Sequence, residues 1–206
     1  MSVRNGTVLT PGGWAVSAPP TRRSDDDAVL DVAAATLVAD PSAALGAVAA
    51  AAGIGRTTLH TKFATRHDLL VAVAERALDL CDEAVTAAQA KAADSPPADG
   101  LHHLLAELVP LGCHLAFLLR QPEAFDHSAP ADRVEQLASR VAAFVRSCVP
   151  VPATTPDWWL ATSLHALVYS AWDAVVQGWL APRDASSLVA STYLDGIRFD
   201  PTGART

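Results

Sequence analysis

Residues 43–63 read AALGAVAAAAGIGRTTLHTKF. Val48, Ala49 and Ala52 recur three and four apart, which puts them on one face of a short helix. Gly53 follows, and glycine takes a positive φ without a Cβ clash, so it ends helices readily. Ile54 then fills the corner, and a second short helix turns Leu59 and Phe63, four apart, inward. Ala49 is small enough to let the two helices cross closely. The spacing predicts a helix-turn-helix, the unit whose second helix enters the DNA major groove. An Ala-rich helical hairpin with no nucleic-acid role has the same spacing, and charge tilts the choice. From Pro41 to His67 there is no Asp or Glu, while Arg56, Lys62 and Arg66 are present. Such a strip suits a polyanion.

The flanks extend this unit. Asp25 to Ala39 is expected to be a helix with Val29, Leu30, Ala33 and Leu37 inward. Ser24 can cap it, Asp25, Asp26 and Asp27 suit its N-terminal dipole, and Asp40-Pro41 stops it. Thr65-Arg66-His67-Asp68 has the spacing of a capping box opening a longer helix. That helix, with Leu69, Leu70, Val73, Ala77, Leu80 and Ala84 along one stripe, is expected to reach about Ala93, before Ser95-Pro96-Pro97. It would join the helix-turn-helix to the rest of the chain.

With these pieces in place, the run from Val29 to Val73 resembles the TetR family of bacterial transcription regulators. VLDVAAATLVAD (29–40), VAAAAGIGRTTLHTKF (48–63) and ATRHDLLVAV (64–73) carry the resemblance. The family's middle piece usually ends in TLY-x-x-F, followed by a helix opening on a Leu-Leu pair. Here the residues are Thr58-Leu59-His60-Thr61-Lys62-Phe63, then Leu69-Leu70. The chain departs from the pattern at His60, where Tyr is usual, and at Ala44, where a phosphate-contacting Thr is frequent. Ser42 lies nearby with a hydroxyl, and Gly55 offers no capping side chain to the second helix. The resemblance implies an all-α fold, a small DNA-binding domain and a larger helical domain for ligand binding and dimerisation, with the last two helices forming a four-helix dimer interface.

On this reading Arg56 opens the second helix and is the candidate for a base contact, its fork matching guanine O6 and N7. Thr57 and Thr61 are placed to touch thymine methyls or phosphates, and Lys62 and Arg66 to clamp phosphates. Ser42, Thr58 and His60 complete the expected DNA face.

Composition sets the outer bounds. The chain has 206 residues and is 50% hydrophobic, enough for one large core or two small ones. Aromatic residues are only 6% and alternating β-branched runs are scarce, which favours closely packed helices over sheet. The net charge of −7 argues against non-specific coating of nucleic acid or anionic membrane. Within residues 21–70, Arg22, Arg23, Arg56, Lys62 and Arg66 face six aspartates (Asp25, Asp26, Asp27, Asp31, Asp40, Asp68), so a DNA role depends on where these charges point. Cys81, Cys113 and Cys148 are far apart and odd in number, which suits free thiols in a reducing cytoplasm. No signal peptide and no membrane span are read.

The expected domains are an N-terminal tail over 1–23, disordered, with Arg22 and Arg23 either a DNA-directed arm or part of a solvated linker; a DNA-binding domain over 24–70; a ligand-binding and dimerisation domain over 71–200; and a closing tail over 201–206. Residues 99–120 form an apolar helical stretch that Pro110 should kink or split. A helix over Asp132 to Cys148 is expected to turn Val134, Leu137, Val141, Phe144 and Val145 inward. A last pair, at 156–180 and 184–198, carries apolar residues on more than one face, which points to burial against a second copy. Trp172 and Val175 are placed at the centre of that contact. A ligand pocket is expected between 99–125 and 156–180, with His103, Leu108, His114, Phe117, Leu118 and Trp172 as its residues and His114 as polar anchor. The same residues can equally be plain core.

No nucleophile elbow, dinucleotide fingerprint or phosphate loop occurs, so no enzyme, cofactor or metal is expected. The chain reads as a cytoplasmic homodimeric repressor, with an operator and a small hydrophobic or aromatic effector as partners. A helical dimeric small-molecule-binding or scaffold protein that has lost DNA binding is the alternative.

Overall fold

The computed structural model describes residues 25–125 and 130–197, and every regular element among them is helical. These are α1 (Asp25–Ala39), α2 (Leu45–Ala51), α3 (Arg56–Lys62), α4 (Arg66–Ala93), α5 (Gly100–Leu108), α6 (Gly112–Arg120), α7 (Pro130–Cys148), α8 (Asp157–Val176) and α9 (Pro182–Ile197). The tails expected over 1–23 and 201–206, with Arg22 and Arg23, lie outside the described residues, as does Ser24.

Helix α1 has the bounds its aspartates and Asp40-Pro41 predict. Between α2 and α3 the chain turns at Gly53, whose φ of 68° is the left-handed conformation that glycine favours. The Ile54 amide donates to the Ala49 carbonyl at 3.0 Å, closing the corner. Val48, Ala49 and Leu59 are buried and Phe63 is half-buried. The capping box at the start of α4 is complete: Asp68 N–H donates to Thr65 Oγ1 at 3.1 Å, and Thr65 N–H to the Asp68 carboxylate at 2.9 Å. The 28 residues of α4 span about 42 Å at 1.5 Å each.

Pro110 sits in a one-turn 3₁₀ helix, Val109–Leu111, which separates α5 from α6. By length and composition Gly100–Arg120 is apolar enough to cross a bilayer, yet 67% of its most apolar window is buried inside the protein. Helix α7 starts two residues earlier than its sequence pattern suggests, and Val134, expected inward, is exposed. Helix α8 stops at Val176 instead of Leu180 because Gly178 takes a φ of 76°. Gly178 N–H then bonds to Val175 O and Trp179 N–H to Ala174 O, which closes the helix end.

The buried side chains form two clusters. One unites α4, α5, α7, α8 and α9 around Leu101, Leu104, Leu105, Leu160 and Leu164. The other holds α1, α2, α3 and the start of α4, and takes in Cys113, Ala116 and Phe117 of α6 and Trp172 of α8. Trp172 and Val175, placed at a dimer centre from the sequence, are buried within the protomer. Helix α8 is apolar on several faces because it packs on α6, α7 and α9 of its own chain. The Trp172 ring lies where a Cβ on Gly112 would stand, so the absent side chain at 112 makes room for it.

Candidate nucleic-acid interface and ligand cavity

Helix α3 buries Leu59 and leaves Arg56, Thr57, Thr58, His60, Thr61 and Lys62 exposed, so these six share an outward surface. No acidic residue lies on α2, α3 or the turn between them. Thr61 Oγ1 donates to the Thr57 carbonyl at 2.9 Å. Lys62 is paired with Asp26 at the start of α1. Arg66 donates to the Pro41 carbonyl, tying the start of α4 to the α1–α2 loop. Ser42 is engaged within the same loop: its amide and hydroxyl both donate to the Asp40 carboxylate, at 2.9 and 2.7 Å. These bonds hold the Asp40 carboxyl below the usual carboxylate range, the hydroxyl contributing most. Of the eight residues assigned to DNA from sequence, six are exposed on α3, with Lys62 paired to Asp26, and Ser42 and Arg66 brace the loop beside it.

A cavity of about 470 Å³ lies among α4, the α5–α6 segment, α7 and α8. Among the described residues its walls are apolar, with Leu78, Leu108, Leu118, Leu137 and Val168 among them, and its polar side chains are Thr162 and His165. Of the residues read from sequence as pocket, Leu108 and Leu118 line this cavity. His103, His114, Phe117 and Trp172 lie outside its lining. His103 contacts Ser95 Oγ at 3.2 Å, and Phe117 and Trp172 fill the N-terminal cluster. His114, read as the polar anchor, instead turns to α1 and donates from Nε2 to Asp31 at 3.1 Å.

Among the described residues, the histidine on the cavity is His165. Its Nε2–H donates to the Leu115 carbonyl of α6 at 3.1 Å. Burial lowers its pKa, which the bond to Leu115 only partly opposes, and so favours the neutral ring. Its helical position on α8 was visible in the sequence, but nothing local marked it as the face turned to the cavity.

Helix α6 serves both regions. Leu115, Leu118 and Leu119 line the cavity, while the opposite face and the end of α6 hold α1. Arg120 donates to Val38 O at 3.1 Å and the buried Gln121 amide to Leu37 O at 3.4 Å. Both acceptors are last-turn carbonyls of α1, which have no partner within their own helix, and a cation there also suits the helix dipole. Tyr169 of α8 fixes Arg120 from the other side, its hydroxyl at 2.7 Å and its ring centre 5.6 Å from the guanidinium carbon.

An exposed helix α3 in a helix-turn-helix, a helical body holding an apolar cavity and one helix, α6, shared between them define the architecture. No family profile matches the chain. Over 95 residues, 46% of this chain, it is 37% identical to the HTH-type transcriptional repressor LfrR of Mycolicibacterium smegmatis. That alignment spans 49% of the relative, about half its length. The crystal structure of the TetR-like transcriptional regulator LfrR from Mycobacterium smegmatis in complex with proflavine superposes with a TM-score of 0.73 at 25% identity, over 85% of this chain and 97% of the other. A TetR-like regulator from Rhodococcus sp. RHA1 shares the fold, with a TM-score of 0.63 at 20% identity over 88% of this chain and 100% of the other. The chain is thus TetR-like in fold, and these likenesses support the TetR-family resemblance of its sequence.

Proposed function

We propose that this chain is a ligand-responsive, DNA-binding transcriptional regulator, a repressor that a small apolar molecule releases from its operator. The observation that carries the reading is the double duty of α6, which lines the cavity with one face and holds α1 with the other. Helix α1 shares a core with α2 and α3. A ligand that displaces α6 therefore moves the base of the reading unit, and DNA and ligand each favour one arrangement of a common equilibrium.

In this scheme Arg56 reads a base, Thr57, Thr58, His60 and Thr61 line the groove contact, and Lys62 meets phosphate. Arg66 and Ser42 hold the supporting loop and reach phosphate only by giving up their present bonds. The working unit is a homodimer through α8 and α9, which sets two reading helices one DNA turn apart, about 34–36 Å. It operates in the cytoplasm and carries out no reaction. The relative LfrR was crystallised with proflavine, which supports a flat aromatic effector for the cavity here.

The test is a gel shift with the DNA upstream of the chain's own gene, with and without a panel of hydrophobic aromatics. The expected result is a retarded band that an aromatic compound dissolves. Failure to retard any upstream fragment at low salt overturns the DNA-binding reading.

A further inference from the structure

Resting on the cavity as the effector site, we propose that it selects neutral apolar molecules carrying one hydrogen-bond donor, with His165 Nδ1 as the acceptor and Thr162 beside it, and that it discriminates against aromatic cations. A carbonyl oxygen only accepts, so the bond from His165 Nε2 to Leu115 O places the ring proton on Nε2. Nδ1 is then the acceptor of a neutral imidazole on the cavity wall, and it has no hydrogen bond to the described residues. Thr162 lies three residues earlier on α8, on the same face, with its hydroxyl equally uncommitted.

Charge decides against a cation. Among the described residues the lining contains no carboxylate. The thiol there, Cys81, is pushed up to about 12 by burial and supplies no anion. Of the acids flanking the wall, Asp79 and Asp82 on α4 are paired with Arg133 and Arg140 of α7, and Asp132 and Glu135 of α7 are exposed to water. A cationic ligand would shed its hydration without a counter-charge, which is costly, whereas a neutral hydroxyl or N–H exchanges one water for Nδ1. Because His165 is anchored on α6, a ligand bonded to Nδ1 also bears directly on the helix that holds α1.

Fluorescence titration of the full chain with 1-hydroxypyrene, 1-methoxypyrene and 1-pyrenemethylammonium tests this. The three differ at one substituent: a neutral donor, a neutral group without a donor, and a cation. Hydroxypyrene should bind about tenfold tighter than methoxypyrene, as one hydrogen bond of ordinary strength allows, and the cation weakest. His165→Phe should bring the hydroxy-to-methoxy ratio close to one while methoxypyrene still binds. Thr162→Val, a smaller change, should reduce the same ratio partially, which keeps the test decisive if His165→Phe folds poorly. Binding of all three pyrenes with equal affinity overturns the selectivity and leaves the effector site standing. Binding of none, by a chain that still retards DNA, overturns the effector site and the selectivity together.

Discussion

His114 of α6 donates from Nε2 to the Asp31 carboxylate of α1 at 3.1 Å, and the same carboxylate oxygen lies 3.4 Å from Arg76 Nε of α4. Three helices thus meet on one half-sheltered acid. His114 is almost wholly buried, and its Nδ1 has no hydrogen-bond partner among the described residues. One ring nitrogen is spent on Asp31 and the other gains nothing from the fold, so the residue serves as a tie between α1 and α6.

His114→Leu keeps the volume and deletes the tie. A hydrogen bond to a charged group contributes about 1.5–3 kcal/mol, and urea denaturation should show a loss of that size. The functional signature is separate: ligand affinity should persist while the ligand's power to weaken DNA binding falls. Undiminished ligand-driven release from DNA by the variant would remove this contact from the coupling.

Gly112 and Trp172 make a second joint between α6 and α8. A Cβ at position 112 would come within 2.2 Å of the Trp172 indole. No rotation of a fused ring at that depth avoids the contact, so the helices must part. Gly112→Ala should cost about 1–3 kcal/mol, as overpacking of a core does. Adding Trp172→Leu should recover part of the loss, and thermal melts of the single and double variants check this.

On the proposed DNA face, Arg56→Ala should leave stability unchanged, because the side chain is exposed, and cost about 1–3 kcal/mol in operator binding with relaxed specificity at one position. Lys62→Ala should weaken all sequences alike and shallow the salt dependence by about one unit. Asp26→Asn should do the opposite, since Asp26 holds Lys62 in an exposed pair that adds little to folding. Gel shifts across a salt series distinguish the three.

These sites were legible in the sequence to different degrees. The bounds of α1, the turn at Gly53 and the capping box of Thr65 and Asp68 depend on groups within a few residues, and local spacing records such contacts. His114 and His165 are a different matter. Each lies on an apolar helix packed on two sides, and periodicity reports that a face is buried without saying against what. His114 turned to α1, leaving the cavity to His165. Trp172 and Val175 misled for the same reason: an apolar α8 is satisfied by α6 and α9 of its own chain as well as by a second copy.

The cysteines bear on redox regulation. Burial pushes the Cys81 and Cys113 thiols up to about 12, with Asp82 and Asp31 adding to the shift. At pH 8 both stay protonated in the folded chain and react poorly. Native protein should leave both unlabelled by a thiol reagent that labels them in urea. A raised folded pKa means that their contribution is complete below about pH 9 and is lost as the pH climbs towards 12, so stability should fall across that window. Rapid native labelling of Cys81 would show the cavity wall opening.

The dimer can be tested without touching the core. Trp158, Trp159 and Trp179 are 63%, 51% and 80% exposed, and Leu188 of α9 is 50% exposed. Four large apolar groups on one pair of helices and the turn between them are a poor surface for a lone protomer. Between Trp159 and Trp179 the outer positions of α8 are small, Ala166 and Ser170, and α9 presents Ser187 and Ser191. Small residues let helices of two copies approach closely, with the tryptophans closing the rim. An obligate contact of this kind buries on the order of 2,000 Å² or more. The wild-type chain should sediment at twice its 21.5 kDa. Ala166→Glu places a carboxylate on each copy in a face that desolvates on pairing, and because a two-fold interface repeats the change, the cost is incurred twice. That variant should sediment at 21.5 kDa with unchanged helix content. Its DNA affinity should fall by far more than the loss of any one contact, because two half-sites are no longer bound by one linked particle. A wild-type chain that is monomeric at micromolar concentration, or an Ala166→Glu dimer of undiminished affinity, would place the interface elsewhere.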